Sequence, residues 1–158
     1  MDISFRTDEG IFNYRACGIV IEDGKVLAMR DERSPYYYLP GGRVLIHETA
    51  EHAVIREFQE ELACTPTIKR PLWLNQAFFK EDVDQIQYHE LCLYFLMDIA
   101  DTDILSRGEC FTVQEQDRIH VFEWLALERL QDEYFYPLFL KKELFYLPDV
   151  FTIRTEIE

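Results

Sequence analysis

The chain has 158 residues, 48% hydrophobic and 15% aromatic, with a formal net charge of −14. Its length suits a single domain over residues 1–158 with a substantial buried core, and its hydrophobic share excludes a mainly disordered chain. The acidity excludes an electrostatic grip on nucleic acid polymers or on anionic membrane, because both require a basic footprint.

The opening segment Met1-Asp2-Ile3-Ser4-Phe5-Arg6 lacks the charged and apolar regions of a signal peptide. No apolar run approaches the ~20 residues that span a bilayer, so the expected setting is cytoplasmic. Tyr14 to Glu22 is apolar and β-branched, Asp23-Gly24 makes a turn, and Lys25 to Arg30 resumes an apolar run, which together predict a hairpin. Tyr36 to Leu39 reads as a strand ended by Pro40-Gly41-Gly42. Thr49 to Leu62 contains neither Gly nor Pro, and Ala50, Ala53, Val54, Phe58 and Leu62 recur at helical spacing, predicting an amphipathic helix. Thr65-Pro66 stops it. Two β-rich stretches follow, Thr67 to Phe79 and Gln85 to Ile99, joined by the acidic turn Lys80 to Asp84. Asp101 to Asp117 is polar and reads as a loop, His120 to Leu125 as a strand, and Leu127 to Leu130 as a helical turn. Pro137 to Tyr146 reads as a second longer helix that begins with proline. Four widely spaced cysteines, Cys17, Cys64, Cys92 and Cys110, form no C-x-x-C pair, so neither a zinc site nor a disulfide framework is expected. Strands, a helix, long strands and a further helix predict an α/β or α+β layered fold around a mixed sheet.

The chemistry concentrates on the helix. Glu57, Glu60 and Glu61 stand at i, i+3 and i+4, which places them on one face. Their mutual repulsion is tolerable if hard cations bind there, since Mg²⁺ takes oxygen ligands and shares itself with substrate phosphates. The acidity of the chain makes such cations more necessary for an anionic substrate. Arg56 can hold a carboxylate through paired charge-assisted hydrogen bonds, and Gly41-Gly42 permits a tight turn and close approach to a ligand.

Gly42, Glu48, Arg56, Glu57, Glu60 and Glu61 match six of the seven fixed Gly or polar positions of G-x5-E-x7-R-E-U-x-E-E-x-G-U, and Phe58 matches an apolar one. The stretch resembles the Nudix box. Ala63 stands where the family has glycine, which puts the local helix end in question and leaves the carboxylates untouched. The resemblance implies an α/β fold, a Nudix-like α/β/α sandwich with a mixed β-sheet, and metal-dependent hydrolysis of a diphosphate linkage in a nucleotide-like small molecule. It implies Mg²⁺, with Mn²⁺ as an alternative, bound by Glu57, Glu60 and Glu61. Arg56 would orient the glutamates, while Gly41, Gly42, Arg43 and Glu48 would face substrate. The general base is expected from Glu57 or from outside the box, with Glu90, His89, Glu109 and Glu115 as candidates. Tyr36, Tyr37, Tyr38, Trp73, Phe78 and Phe79 are candidates to stack on a nucleobase, and Arg43 and Arg70 to meet phosphate. A nucleotide-sensing module that does not cleave is the competing reading, disfavoured because all the box carboxylates are present. A nonhydrolytic isomerase is a more distant one. A homodimer is compatible with a compact enzyme but is not fixed by the sequence.

Overall fold

The computed structural model describes residues 1–158. Near the start of the chain, β1 (Ser4–Thr7) pairs antiparallel with β2 (Gly10–Ile19). The Asp23-Gly24 turn forms as expected. Both residues take left-handed backbone (φ 49° and 72°), and they join β3 (Ile21–Glu22) to β4 (Lys25–Arg30). The Gly-Gly segment forms a short strand, β5 (Gly41–Arg43), which pairs with β2 at Arg15, Ala16 and Cys17.

Helix α1 (Ala50–Leu62) follows from local chemistry and from burial together. Thr49 caps it, its hydroxyl accepting the His52 N–H at 3.1 Å. Ala53, Val54, Phe58 and Leu62 are fully buried on its inner face. Phe58 lies directly on β2, where a Cβ at Gly18 would stand 2.3 Å from its ring. The small residue at 18 thus sets how closely the helix approaches the sheet.

Strands β6 (Thr67–Lys80) and β7 (Gln87–Asp98) form a long hairpin across the acidic turn. Strands β8 (Cys110–Glu115) and β9 (Arg118–Ala126) form another, and α2 (Leu140–Glu143) and β10 (Thr152–Ile157) complete the chain. One mixed sheet runs β1-β2-β7-β6-β10, with β5 also on β2; the β2–β7 and β6–β10 pairs are parallel. A second sheet runs β3-β4-β9-β8. Two apolar clusters flank the large sheet. One gathers α1 residues with Ala16, Val20 and Phe95; the other gathers Cys17, Ile19, Cys92 and Tyr94 with Leu127, Leu130, Phe139 and Leu140. This layering is the expected α/β/α arrangement, with one real helix on the first face and short helical turns on the other.

Four expectations change. The segment 101–117 is not one loop; it holds a 3₁₀ turn, Ile104–Arg107, and strand β8. β8 alternates exposed and half-buried residues and buries none fully, so it carries little apolar signal. The second helix spans four residues rather than ten, because Phe139, Leu140 and Leu144 turn into the core while Leu138, Phe145 and Tyr146 stay exposed. Residues 36–39 form only isolated bridges, since the Tyr36, Tyr37 and Tyr38 hydroxyls reach Glu81, Glu123 and Asp31 on three different segments. Finally, β10 adds an edge strand that the sequence reading lacked.

Candidate active site

Helix α1 and β5 bring the box residues together through one guanidinium. Arg56 donates to both oxygens of Glu48, from Nε at 2.7 Å and Nη2 at 2.9 Å. Its Nη1 reaches Glu57 at 3.0 Å and Glu60 at 3.3 Å, and its Nη2 also donates to the Arg43 carbonyl at 3.1 Å. The paired donors hold the Glu48 carboxylate by two charge-assisted hydrogen bonds. Glu48 accepts the Leu45 N–H as well, at 3.0 Å. The hydrogen bond from Arg56 pulls the Glu48 carboxyl below its ordinary range. With its oxygens bonded in this way, Glu48 braces the loop–helix junction.

Gly41 and Gly42 have separate tasks. Gly41 adopts φ 153°, and a Cβ there would lie 2.4 Å from the Ala16 carbonyl oxygen, so no side chain fits between β5 and β2. Its N–H donates to Glu61 Oε1 at 2.9 Å. A Cβ on Gly42 would lie 2.3 Å from Glu57 Oε1. The missing side chain leaves the space that the Glu57 carboxylate occupies.

The three helix glutamates differ in environment. Glu61 is 7% exposed; burial pushes its carboxyl well above the ordinary range, Glu57 adds to the rise, and the Gly41 N–H works against it. Burial also raises Glu57, against the opposing pull of Arg56. Glu60 is more open, its side chain 43% exposed. No three His, Cys, Asp or Glu side chains converge tightly enough to enclose a cation. The donor set nevertheless suits a hard one. It is all carboxylate oxygen, two of its members resist ionising alone, and Arg56 already occupies the inner side between Glu57 and Glu60. A divalent ion held by Glu57, Glu60 and Glu61 would offset the like charges that protein groups leave uncompensated.

On the sheet face away from α1 opens a cavity of about 700 Å³, lined by strand partners of β5 and by none of the array residues. Arg15 and Cys17, which pair with Arg43 and Gly41, form its near wall. Side chains alternate along strands, so Arg15 and Cys17 share a sheet face with Glu90 and Tyr94 of β7, Asn75, Ala77 and Phe79 of β6, and Glu156 of β10. That face is opposite the one packed against α1. Glu90 is 8% exposed, meets Arg15 across 4.0 Å, and is raised by burial against the pull of Arg15. Burial works against the charge of Arg15, but the surrounding Cys17 and Glu90 hold it protonated. Arg15 escaped the sequence reading because a single Arg in a β-branched run looks like an outward-facing strand residue.

The remaining candidates separate. Tyr36, Tyr38 and Phe79 line the cavity; Tyr37 bonds Glu123, Trp73 is core, and Phe78 packs at a tilt against His89, their ring centroids 4.5 Å apart. Glu109 pairs with Lys25 and Glu115 with His120, each at 2.8 Å. Arg70 donates to the Pro148 carbonyl, while the Arg43 side chain meets Asp2 at 3.4 Å. Cys17 and Cys92 are buried and free, their sulfurs 3.5 Å apart.

Comparison with known proteins agrees with this geometry. The profile of the NUDIX domain family matches residues 13–142. The ADP-ribose pyrophosphatase of Methanocaldococcus jannaschii is 33% identical over 85 residues, covering 52% of this chain and 48% of that protein. The chain thus aligns with about half the length of this curated relative. The MutT NUDIX hydrolase from Burkholderia pseudomallei superposes with a TM-score of 0.53 at 26% identity, over 80% of this chain and 89% of that one. A NUDIX hydrolase from Nitrosomonas europaea reaches a TM-score of 0.59 at 17% identity, over 97% and 82%, a likeness of fold alone.

Proposed function

This chain belongs to the Nudix family, and on that premise we propose that it hydrolyses a diphosphate linkage in a nucleoside diphosphate derivative or related small molecule, with Mg²⁺ or Mn²⁺. The observation that carries the reading is the Arg56 fork, which holds Glu48, Glu57 and Glu60 in one array beside the Gly41–Glu61 hydrogen bond. Such an array is costly as mere surface, because two of its carboxylates are buried beside each other.

Glu57, Glu60 and Glu61 would hold the metal, which when bound neutralises phosphate oxygens and lowers the pKa of a water. The chain's own groups do the rest. Arg56 fixes the carboxylates so that little reorganisation accompanies reaction, and Gly41-Gly42 lets β5 lie close against β2 and against the Glu57 carboxylate. Water attacks one phosphorus, the bridging P–O bond breaks, and the proton released from water passes to a base. Glu57 and Glu90 are the candidates. Glu57 already accepts from Arg56, whereas Glu90 meets Arg15 at 4.0 Å and bonds Asn13, and burial raises its carboxyl, which suits it to receive a proton on a carboxylate oxygen.

A hydrolysis screen over nucleotide sugars, dinucleoside polyphosphates and nucleoside triphosphates, with products identified, tests the reading. Activity should vanish in EDTA, return with Mg²⁺ or Mn²⁺, and fall by about 10²-fold or more in Glu60→Gln with the fold intact. Turnover that survives chelation, or a fully active Glu60→Gln, would remove the metal assignment.

A further inference from the structure

The cavity across the sheet from α1 is electronegative on two counts. Its lining carries five carboxylates, Glu81, Asp82, Glu90, Glu156 and Glu158, against two cations, Arg15 and Lys80. Of the two, Arg15 is already opposite Glu90. The remaining lining includes five aromatic rings, Tyr36, Tyr38, Phe79, Tyr94 and Tyr136, and an aromatic face carries negative quadrupole charge. Tyr36 and Tyr136 meet edge to face, their centroids 5.2 Å apart, and their hydroxyls are tied to Glu81 and Asp82. These bonds orient the rings. At the floor, Glu156 is 8% exposed and accepts the Phe139 N–H at 2.9 Å. The same sheet region already holds one cation over a ring, since Arg154 Cζ sits 3.8 Å from the Phe139 centroid. A second anionic group would meet repulsion in this chamber, and a neutral polyol would leave its field unused.

We propose that the cavity binds an organic ammonium group, and that the preferred substrate carries such a group on the far side of the diphosphate from its nucleoside. The array at α1 would engage the diphosphate while the carboxylates and rings on the opposite sheet face receive the ammonium head. The inference rests on the proposed hydrolysis, yet the head site can be tested without it.

The experiment compares adenosine diphosphate esters of choline and of ethanolamine with the ester of neohexyl alcohol, the uncharged carbon isostere of choline. Both ammonium esters should exceed the isostere in kcat/KM by at least about tenfold. Glu156→Gln should narrow that ratio, as should Asp82→Asn, which lies at the exposed mouth and keeps the variant series informative if the buried change unfolds the protein. In parallel, tetramethylammonium alone is titrated into the metal-free protein while the aromatic ring resonances are followed. Saturable shifts should appear in wild type and weaken in both variants. Hydrolysis of all three esters at equal kcat/KM would overturn the ammonium site and leave the diphosphate reading standing. Saturable binding of tetramethylammonium with no ester cleaved would uphold the site and overturn the hydrolysis. Neither a charge preference nor saturable binding would remove the proposal altogether.

Discussion

At Gly42 a single missing methyl group decides where a carboxylate can stand. An added Cβ would lie 2.3 Å from Glu57 Oε1, and 2.4 Å from the carboxyl carbon, well inside contact distance. Gly42→Ala must therefore displace Glu57, and through Arg56 the shift reaches Glu48 and Glu60. Steady-state kinetics should show kcat reduced by about 10–10²-fold, as ångström-scale misplacement of a reacting group does, while circular dichroism remains that of wild type. A variant with undiminished kcat would mean that Glu57 works from another position. Arg56 is similarly specific in shape. A lysine there could satisfy one carboxylate, but its point charge cannot span Glu48 and Glu57 with separate planar donors.

Helix α1 ends in a way its own sequence makes awkward. Ala63 occupies left-handed backbone at φ 51° and ψ 42°, its N–H donating to the Gln59 carbonyl, so the glycine position of the motif keeps its conformation without its glycine. The neighbouring segment relieves the end: Arg107 donates to the Leu62 carbonyl at 2.6 Å and to that of Ala63 at 3.4 Å, satisfying oxygens the helix leaves open. Ala63→Gly removes the Cβ strain and keeps the Arg107 contacts, so it should stabilise the protein by about 0.5–1 kcal/mol. In a domain of this size that is roughly 1–4 °C in Tm by calorimetry, and a lower Tm would show that Ala63 is held by packing instead. The helix was legible in the sequence because its periodicity, its freedom from Gly and Pro and the spacing of its charges all agree. What hid were elements whose reasons lie elsewhere in the chain. β8 borrows its order from pairing with β9, β10 exists through its ladder with β6, and Pro137 to Tyr146 has helical composition but is pulled apart by the core that Phe139 and Leu144 fill. Arg15 hid for the same reason, since only the fold sets it opposite Glu90 and next to Gly41 and its neighbours.

Across the whole molecule the net charge is −14, and part of that negative charge is enclosed rather than solvated. Glu90 gives this a measurable sign. Burial raises its pKa, so the folded state prefers the protonated carboxyl; the stabilisation is complete below the unfolded value of about 4.3 and is lost as pH rises through the higher folded value. Glu90→Gln keeps the shape and removes the charge. Its Tm relative to wild type should therefore climb as pH is raised from about 4.5 to 8, and a difference that stays flat or shrinks would show that Arg15 fully compensates the carboxylate. The placement of the cavity has a practical corollary. Its floor and rim belong to strand faces and to the segments around Tyr36 and Tyr136, whereas α1 packs on the reverse of the same sheet. Retargeting could thus proceed by redesigning one side of the sheet as an interchangeable socket, with the helix and its clamp carried over as a fixed engine.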